Sequence, residues 1–389
     1  DMVFYDKEAY DHYVVTPGLT GPTQAFGRNK NTWEQVFEKD IEYMHHVTFW
    51  NDIKIFFKTF TSVFTATGET YAAGIVSGEG FRFCPNMVIP VGVSSYVVKY
   101  DNKGLSAWAA TISGAATVTA MTTDAEGNVY VAGTLADEVT FAGADEANST
   151  VIGGYKDEFG SYTTAQKAAF IAKYDANGAL KAVVPFVPTV LPGVSADMAI
   201  AESIMGFGWY EENISFNISN LVAEGGKLYV GALYTGSTTV GDVKLEGAYQ
   251  NVDGWMFADL SSCSVFTLDA TTLQSAEVLF STSVKGGVTS NNESTTSVAF
   301  DVNEGVLYAS AIVSGKQTIK MGATVEEKEF TMTADGLVEY ATIVGAINVA
   351  DKSVKASKVY TNSTSNLTPL SCMLNPVIMP GIIFLTLVS

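Results

Sequence analysis

The sequence predicts a mainly β protein: a body of antiparallel four-stranded units preceded by a short α-helical segment. Three observations carry this. Glycine-led strand patterns recur along most of the chain, Asp-Gly turns recur between them, and helical periodicity is confined to the first sixty residues.

The first theme appears as GETYAAGIV (Gly68–Val76), GNVYVAGTL (Gly127–Leu135), GKLYVGALY (Gly226–Tyr234) and GVLYASAIV (Gly305–Val313). Each is a turn glycine followed by alternating apolar and aromatic residues, as in a well-buried strand leaving a tight turn. A small residue near the middle suits a strand in a crowded interior. The second theme is SYVVKYDNKG (Ser95–Gly104) and AFIAKYDANG (Ala169–Gly178), with SVFTLDATT (Ser264–Thr272) as a degraded third copy. Asp101 and Asp175 stand where a carboxylate accepts from turn amides, and Gly104 and Gly178 take the left-handed position. The unit is therefore strand, loop, strand, Asp-turn, strand. The glycines of the first theme are unevenly spaced, which argues against a regular solenoid. It fits a β-propeller whose four-stranded units carry loop insertions of different length.

A chain of 389 residues is long enough for one large core or two ordinary ones. Hydrophobic residues make up 47% and charged residues 16%, a balance that excludes disorder and suits a β-rich secreted protein. The net charge of −19 repels phosphate backbones and anionic lipid heads, so nucleic acid and membrane surfaces are not expected partners. Cys84, Cys263 and Cys372 form neither a CxxC nor a paired framework, and no zinc-type spacing occurs. The three histidines, His12, His45 and His46, all fall in the first fifty residues. The body thus lacks the commonest general base, and no catalytic residue, cofactor or metal is expected there. No charged-then-apolar leader opens the sequence, so a secretion signal is expected to be removed or lacking. The closing MLNPVIMPGIIFLTLVS holds two prolines and falls short of the roughly 20 apolar residues that span a bilayer. Residues 361–389 are read as an uncharged apolar tail with a terminal strand, not a transmembrane span.

Residues 1–60 have a different character. Thr32-Trp33-Glu34 opens a helical run, with apolar side chains at Val36, Phe37, Ile41, Met44 and Val47. FWNDIKIFFKTF (Phe49–Phe60) has the make-up of an amphipathic interfacial helix.

Two resemblances follow from these residues. GNVYVAGT with AFIAKYDANGAL resembles the repeat of bacterial secreted β-propeller proteins, over residues 64–360. It implies a propeller and an exported, periplasmic or cell-surface protein, but no particular chemistry. The other is more specific. Pro17-Gly18-Leu19-Thr20-Gly21, Gln24, Gly27-Arg28-Asn29, Thr32-Trp33-Glu34, Asp40, Tyr43 and Phe49-Trp50 resemble the C-terminal part of bacterial sugar transferases. That family moves a sugar phosphate from a UDP-sugar to polyprenyl phosphate, using an Asp-Glu pair and Mg²⁺. Pro22 departs from the larger apolar residue usual there. The resemblance implies a remnant substrate-binding motif at Thr20, Gln24, Arg28, Trp33 and Glu34. Only sixteen residues precede Pro17 and none forms an Asp-Glu pair, so catalysis is not expected.

Other candidates have simpler readings. Asp101, Asp124 and Asp175 are explained by turn chemistry, since a calcium loop needs more oxygen ligands than they supply. His45 and His46 point about 100° apart on a helix and cannot share a metal in the usual way. Glu326-Glu327-Lys328-Glu329 reads as a solvated hairpin face. Six N-x-[ST] sequons, at Asn148, Asn213, Asn217, Asn292, Asn362 and Asn366, mark polar loops. Trp209, Tyr210, Phe216 and Trp255 are candidates for a ligand-stacking surface, weighed against simple packing of a long loop.

The reading is a non-enzymatic exported or cell-surface propeller that binds carbohydrate or protein. The alternative is a truncated, inactive sugar transferase of exopolysaccharide synthesis at the inner membrane. The membrane-type helix Phe49–Phe60 conflicts locally with a propeller partner, which points to two pieces of separate origin. On that reading Phe64–Ser389 melts at the same temperature as the full chain by calorimetry. A large drop would show that the leading helices are docked.

Overall fold

The computed structural model describes residues 70–76, 82–84, 87–88, 92–101, 103–145, 149–152, 168–189, 214–252, 256–284, 288–289, 294–330 and 340–361. The chain divides into two compact bodies. One comprises Asp1–Tyr71 with Lys99–Ala107, the other Ala72–Val98 with Trp108–Ser389. The predicted helices of residues 1–60 and the terminal strand expected beyond residue 361 lie outside the described residues.

In the first body, Asp101 Oδ1 accepts from the amides of Lys103 (2.8 Å) and Leu105 (2.9 Å), and Gly104 takes φ +75°. The Lys99 ammonium sits 5.5 Å above the centre of the Tyr71 ring.

The described secondary structure is strand throughout, in antiparallel sheets with one parallel contact. The first strands are β1 (Thr70–Ile75), the short pair β2 (Arg82–Cys84) and β3 (Met87–Val88), β4 (Val93–Tyr100) and the long β5 (Ser106–Thr123). Then come β6 (Val129–Ala142), β7 (Ser149–Ile152), β8 (Ala168–Tyr174) and β9 (Leu180–Phe186). Their sheet runs β1-β4-β5-β6-β8-β9, with β7 paired to the far half of β6.

The second group is β10 (Phe216–Glu224), β11 (Lys227–Tyr234), the hairpin β12 (Ser237–Val240) and β13 (Val243–Glu246), the hairpin β14 (Ala248–Val252) and β15 (Met256–Leu260), β16 (Ser262–Asp269) and β17 (Glu277–Val284). The third is β18 (Val288–Thr289), β19 (Ser294–Asn303), β20 (Val306–Met321), β21 (Thr324–Phe330), β22 (Tyr340–Asn348) and β23 (Val354–Thr361). The run Glu326–Glu329 lies in β21, hairpinned onto β20 with alternating exposure, as a solvated face requires.

Pairing registers resolve three four-stranded meanders of one design. The first consists of Ala116–Thr123, Val129–Leu135, β8 and β9; the second of β10, β11, β16 and β17; the third of β19, Val306–Ser314, β22 and β23. The first strand of each carries a bulge, at Thr119, Ser219 and Thr296. At each bulge the hydroxyl faces a carbonyl of the second strand, at Ala132 (3.4 Å), Gly231 (3.2 Å) and Ile312 (3.4 Å). A bulge leaves one residue out of the ladder, and a short hydroxyl side chain gives the bent strand a local anchor.

The meanders stack face to face, and their cores lie between them. Tyr130, Ala132, Ala169, Ile171 and Phe186 of the first pack against Phe216, Ile218, Leu228, Val230 and Phe266 of the second. Tyr229, Cys263 and Val265 of the second pack against Val298, Phe300, Leu307, Ala309 and Ile343 of the third. Side chains of one first strand reach the next. Thr119 Oγ1 donates to Ile218 O (3.0 Å), and Asn220 Nδ2 to Phe300 O (3.0 Å). Phe216 is fully buried, with its ring stacked between Phe186 (5.5 Å) and Tyr234 (5.6 Å). That corrects the expectation of a ligand-stacking role: a ring enclosed on both faces is core.

The small residues of the first theme have a visible cause. A Cβ on Gly133 would fall 1.9 Å from Thr117 O and 2.8 Å from the Phe170 ring; one on Gly231 would fall 2.8 Å from the Phe300 ring. Gly133→Ala is expected to destabilise the body by about 2–3 kcal/mol through overpacking against backbone. Gly305→Ala meets open space but must hold φ +72°, and should cost only about 1 kcal/mol. Urea midpoints of the two variants provide the measurement.

Candidate functional site

In the second and third meanders the two turns lie at one end and touch. In the second, Ala270 N donates to Gly226 O (3.0 Å); in the third, Val349 N donates to Gly305 O (2.9 Å). The turns after the third strands are closed by carboxylate or carboxamide side chains. Asp175 Oδ1 accepts from Asn177 and Ala179 (both 2.9 Å), Asp269 Oδ1 from Thr271 (3.0 Å) and Thr272 (2.7 Å), and Asn348 Oδ1 from Ala350 (3.0 Å). Asp124 closes a glycine turn between first and second strands in the same way, accepting from Asn128 (2.8 Å). These are the predicted Asp turns.

Their carboxyls are held below the ordinary range. At Asp124 and Asp175 burial pulls the other way but is outweighed, by Asn128 and Tyr130 at the first and by Lys181, Ala179 and Asn177 at the second. At Asp269 the Thr272 amide and hydroxyl dominate.

Where the first meander meets the second, the junction is filled. Register places Tyr130 directly opposite Lys173. Lys173 is only 8% exposed; its Nζ donates to Ala270 O (2.8 Å), reaches towards Thr271 O (3.5 Å) and lies 5.4 Å above the Tyr130 ring. The Tyr130 hydroxyl stands 2.7 Å from Ala270 O and 2.9 Å from Asp124 Oδ2. Burial first, and then Asp124, drive its pKa well above that of a free phenol. A buried ammonium is stable only with such partners.

Where the second meets the third, a cleft opens instead. Tyr229 is the counterpart of Tyr130, but the residue opposite it is the buried Thr267. The cleft has a volume of about 580 Å³ and is lined by Glu224, Lys227 and Tyr229 on one side, and by Glu304, Gly305, Val349 and Ala350 on the other. Lys352, paired with Glu277, and Lys355 complete its rim. Glu224 Oε1 accepts from Gly305 N (2.8 Å) and so spans the junction. The Glu224 charge is felt nearby. Burial and then Glu224 raise the Tyr229 phenol, and Asp301 is raised by burial and, against the Val302 amide, by Glu224.

Among the predicted site residues, Thr20, Gln24, Arg28, Trp33, Glu34, Trp209, Tyr210 and Trp255 lie outside the described residues; Phe216 is in the core. Sequence reasoning missed the cleft. Its signal was the degraded third copy of the Asp-turn theme, where KYD becomes TLD and Lys gives way to Thr267. Among the described residues no three His, Cys, Asp or Glu side chains gather as a metal site, and no helix is long and apolar enough to cross a membrane. Cys263 is buried, its thiol pushed by burial up to about 11.

Residues 2–66 match the family described as Bacterial sugar transferase. Over 66 residues the chain is 38% identical to the "Uncharacterized sugar transferase EpsL" of Bacillus subtilis (strain 168), which covers 17% of this chain and 32% of that protein. The chain thus spans about a third of the length of the relative it matches. Among solved structures, the plexin A4 extracellular region aligns with 65% of this chain and 32% of its own, at 7% identity and a TM-score of 0.25. Virginiamycin B lyase from Staphylococcus aureus aligns with 64% of this chain and 85% of its own, at 7% identity and a TM-score of 0.17.

Two outcomes follow from the turns and the filled junction. Lys173→Met, which keeps the stem and removes the ammonium, is expected to lower stability by about 1.5–3 kcal/mol, because the Ala270 carbonyl loses a charged donor; chemical denaturation measures it. Carboxyls with lowered pKa stabilise the fold above their unfolded values near 3.8 and lose that contribution as pH falls through the folded values. The urea midpoint should therefore drop on acidification below pH about 4, and less so in Asp175→Asn/Asp269→Asn, whose carboxamides still accept from the turn amides. The chain therefore carries a bacterial sugar transferase-like segment at residues 2–66, joined to a body of antiparallel β-sheet.

Proposed function

We propose that the β-rich body is a non-enzymatic, propeller-type binding module of an exported or cell-surface protein, with carbohydrate or protein as its ligand. The observation that supports this is the repetition of one four-stranded meander with the same bulge, the same turns and the same stacking, varied at a single junction. A scaffold that repeats its packing and alters one interface gains a concave, polar cleft at little cost to the remainder. Glu304 and Lys355 offer hydrogen-bonding groups of the kind that hydroxyl-rich or peptide ligands use.

A second reading is favoured by the match at residues 2–66. On it the protein is an inactive relative of the polyprenyl-phosphate sugar transferases, associated with the inner membrane.

The labelled 389-residue chain, applied to an array of bacterial glycans and surface proteins, should bind saturably, and Glu304→Ala/Lys355→Ala should weaken that binding. Saturable binding that these substitutions leave untouched places the ligand elsewhere. Incubation with a UDP-sugar and polyprenyl phosphate should give no lipid-linked sugar; clear turnover would refute the non-enzymatic reading.

A further inference from the structure

The two junctions share one backbone construction and differ in the residue opposite the tyrosine, Lys173 in one and Thr267 in the other. In each, a tyrosine three residues after the turn glycine faces the next meander's turn: Tyr130 towards Ala270, and Tyr229 beside Val349 and Ala350. The turns correspond residue by residue. Asp269 N donates to Gln274 O (2.8 Å) as Asn348 N does to Ser353 O (2.9 Å), and Ala270 N donates to Gly226 O as Val349 N does to Gly305 O. Val349 and Ala350 therefore correspond to Ala270 and Thr271, whose carbonyls face Lys173 Nζ.

At the second junction the residue that would supply the ammonium is Thr267, opposite Tyr229. A threonine is several bonds too short to reach across; Thr267 itself is buried and does not line the cleft, so no side chain from this position carries an ammonium to Val349 and Ala350. Three carboxylates (Glu224, Glu277, Glu304) and three lysines (Lys227, Lys352, Lys355) line that space, so its acidic character is local to Glu224 and not a net excess. Glu224 stands at its wall, and its field extends to Tyr229 and Asp301. Of the lysines, Lys352 is paired with Glu277. Lys227, at the start of the second strand, and Lys355 also line the cleft. The net charge of −19 also draws cations towards the surface.

We propose that this cleft binds a primary ammonium carried on a saccharide, an unacetylated hexosamine, seated where the preceding junction holds Lys173 Nζ. The ammonium donates to the carbonyls of Val349 and Ala350 and faces the Glu224 carboxylate and the Tyr229 ring. The sugar hydroxyls meet Glu304 and Asn348 at the open side. The saccharide part of this assignment rests on the carbohydrate-binding reading above. The ammonium part rests on the comparison of the two junctions.

Calorimetric titration of the 389-residue chain with a short glucosamine oligomer, and with its N-acetylated counterpart, tests this. The deacetylated oligomer should bind and the acetylated one should bind at least about tenfold more weakly, the loss expected for one charged hydrogen-bonding group. Butylammonium should compete with the first. Thr267→Lys supplies the missing side chain and should abolish binding. Glu224→Gln keeps the acceptor for Gly305 N, removes the charge, and should weaken binding about tenfold; it guards against Thr267→Lys failing to fold, which circular dichroism reports. Equal affinity for the two oligomers, or undiminished affinity in folded Thr267→Lys, overturns the proposal. If neither oligomer binds while other glycans do, the ammonium site falls and the carbohydrate reading stands. If no glycan binds, both fall.

Discussion

The structure depends on the burial of both faces of its central strands. β8 is buried at every position and β16 at every position but its last. A strand covered on one face alternates; one covered on both reads as a continuous apolar run. Covering both faces requires a sheet in front and a sheet behind, so no meander is complete without its neighbours. β22 shows the contrast: Ala341, Ile343 and Ile347 are buried against the second meander, whereas Thr342, Val344 and Ala346 on the other face are half-buried.

Stacking at that density sets the remaining sequence choices. Where an aromatic ring of a neighbouring strand crosses the second strand, only hydrogen fits, as Gly133 and Gly231 show. Each first strand must carry its ladder and also reach the next meander. The bulged Thr119, and Asn220 next to the bulge at Ser219, reach carbonyls of the following first strand. Polar groups so placed add direction to a packing that hydrophobic contact alone leaves free to slide.

Much of this was legible in the sequence, because it rests on local chemistry. The Asp turns were readable from Asp101, Asp124 and Asp175 with their glycines, since a carboxylate two to four residues before its amide partners defines the turn by itself. The small-residue positions were readable from the recurrent glycine-led strands. Phe216 was not: an aromatic in a polar loop-like stretch looks the same whether its ring faces water or, as here, Phe186 and Tyr234. Nor was the cleft, because Thr267 acquires meaning only when the register sets it opposite Tyr229 and the fold sets both against the turn of another meander. Long-range placement of that kind leaves no periodic trace.

The comparison of junctions also shows how a repeat scaffold can acquire a site. Lys173 is expensive to bury, and it persists because two carbonyls, a ring and a nearby carboxylate repay its desolvation. With threonine at the corresponding position of the other junction the ammonium is missing while the turn backbone is retained; Asn348 stands in place of Asp269, and the carboxylate there is Glu224. These groups need no reorganisation to receive a cation, because the turn hydrogen bonds that aim them belong to the fold. Recognition of the proposed ammonium is thus a by-product of preorganised packing. On the proposed reading one shorter side chain turns a structural contact into a receptor for the group it lost, and the buried ammonium remains at the junction that holds Lys173.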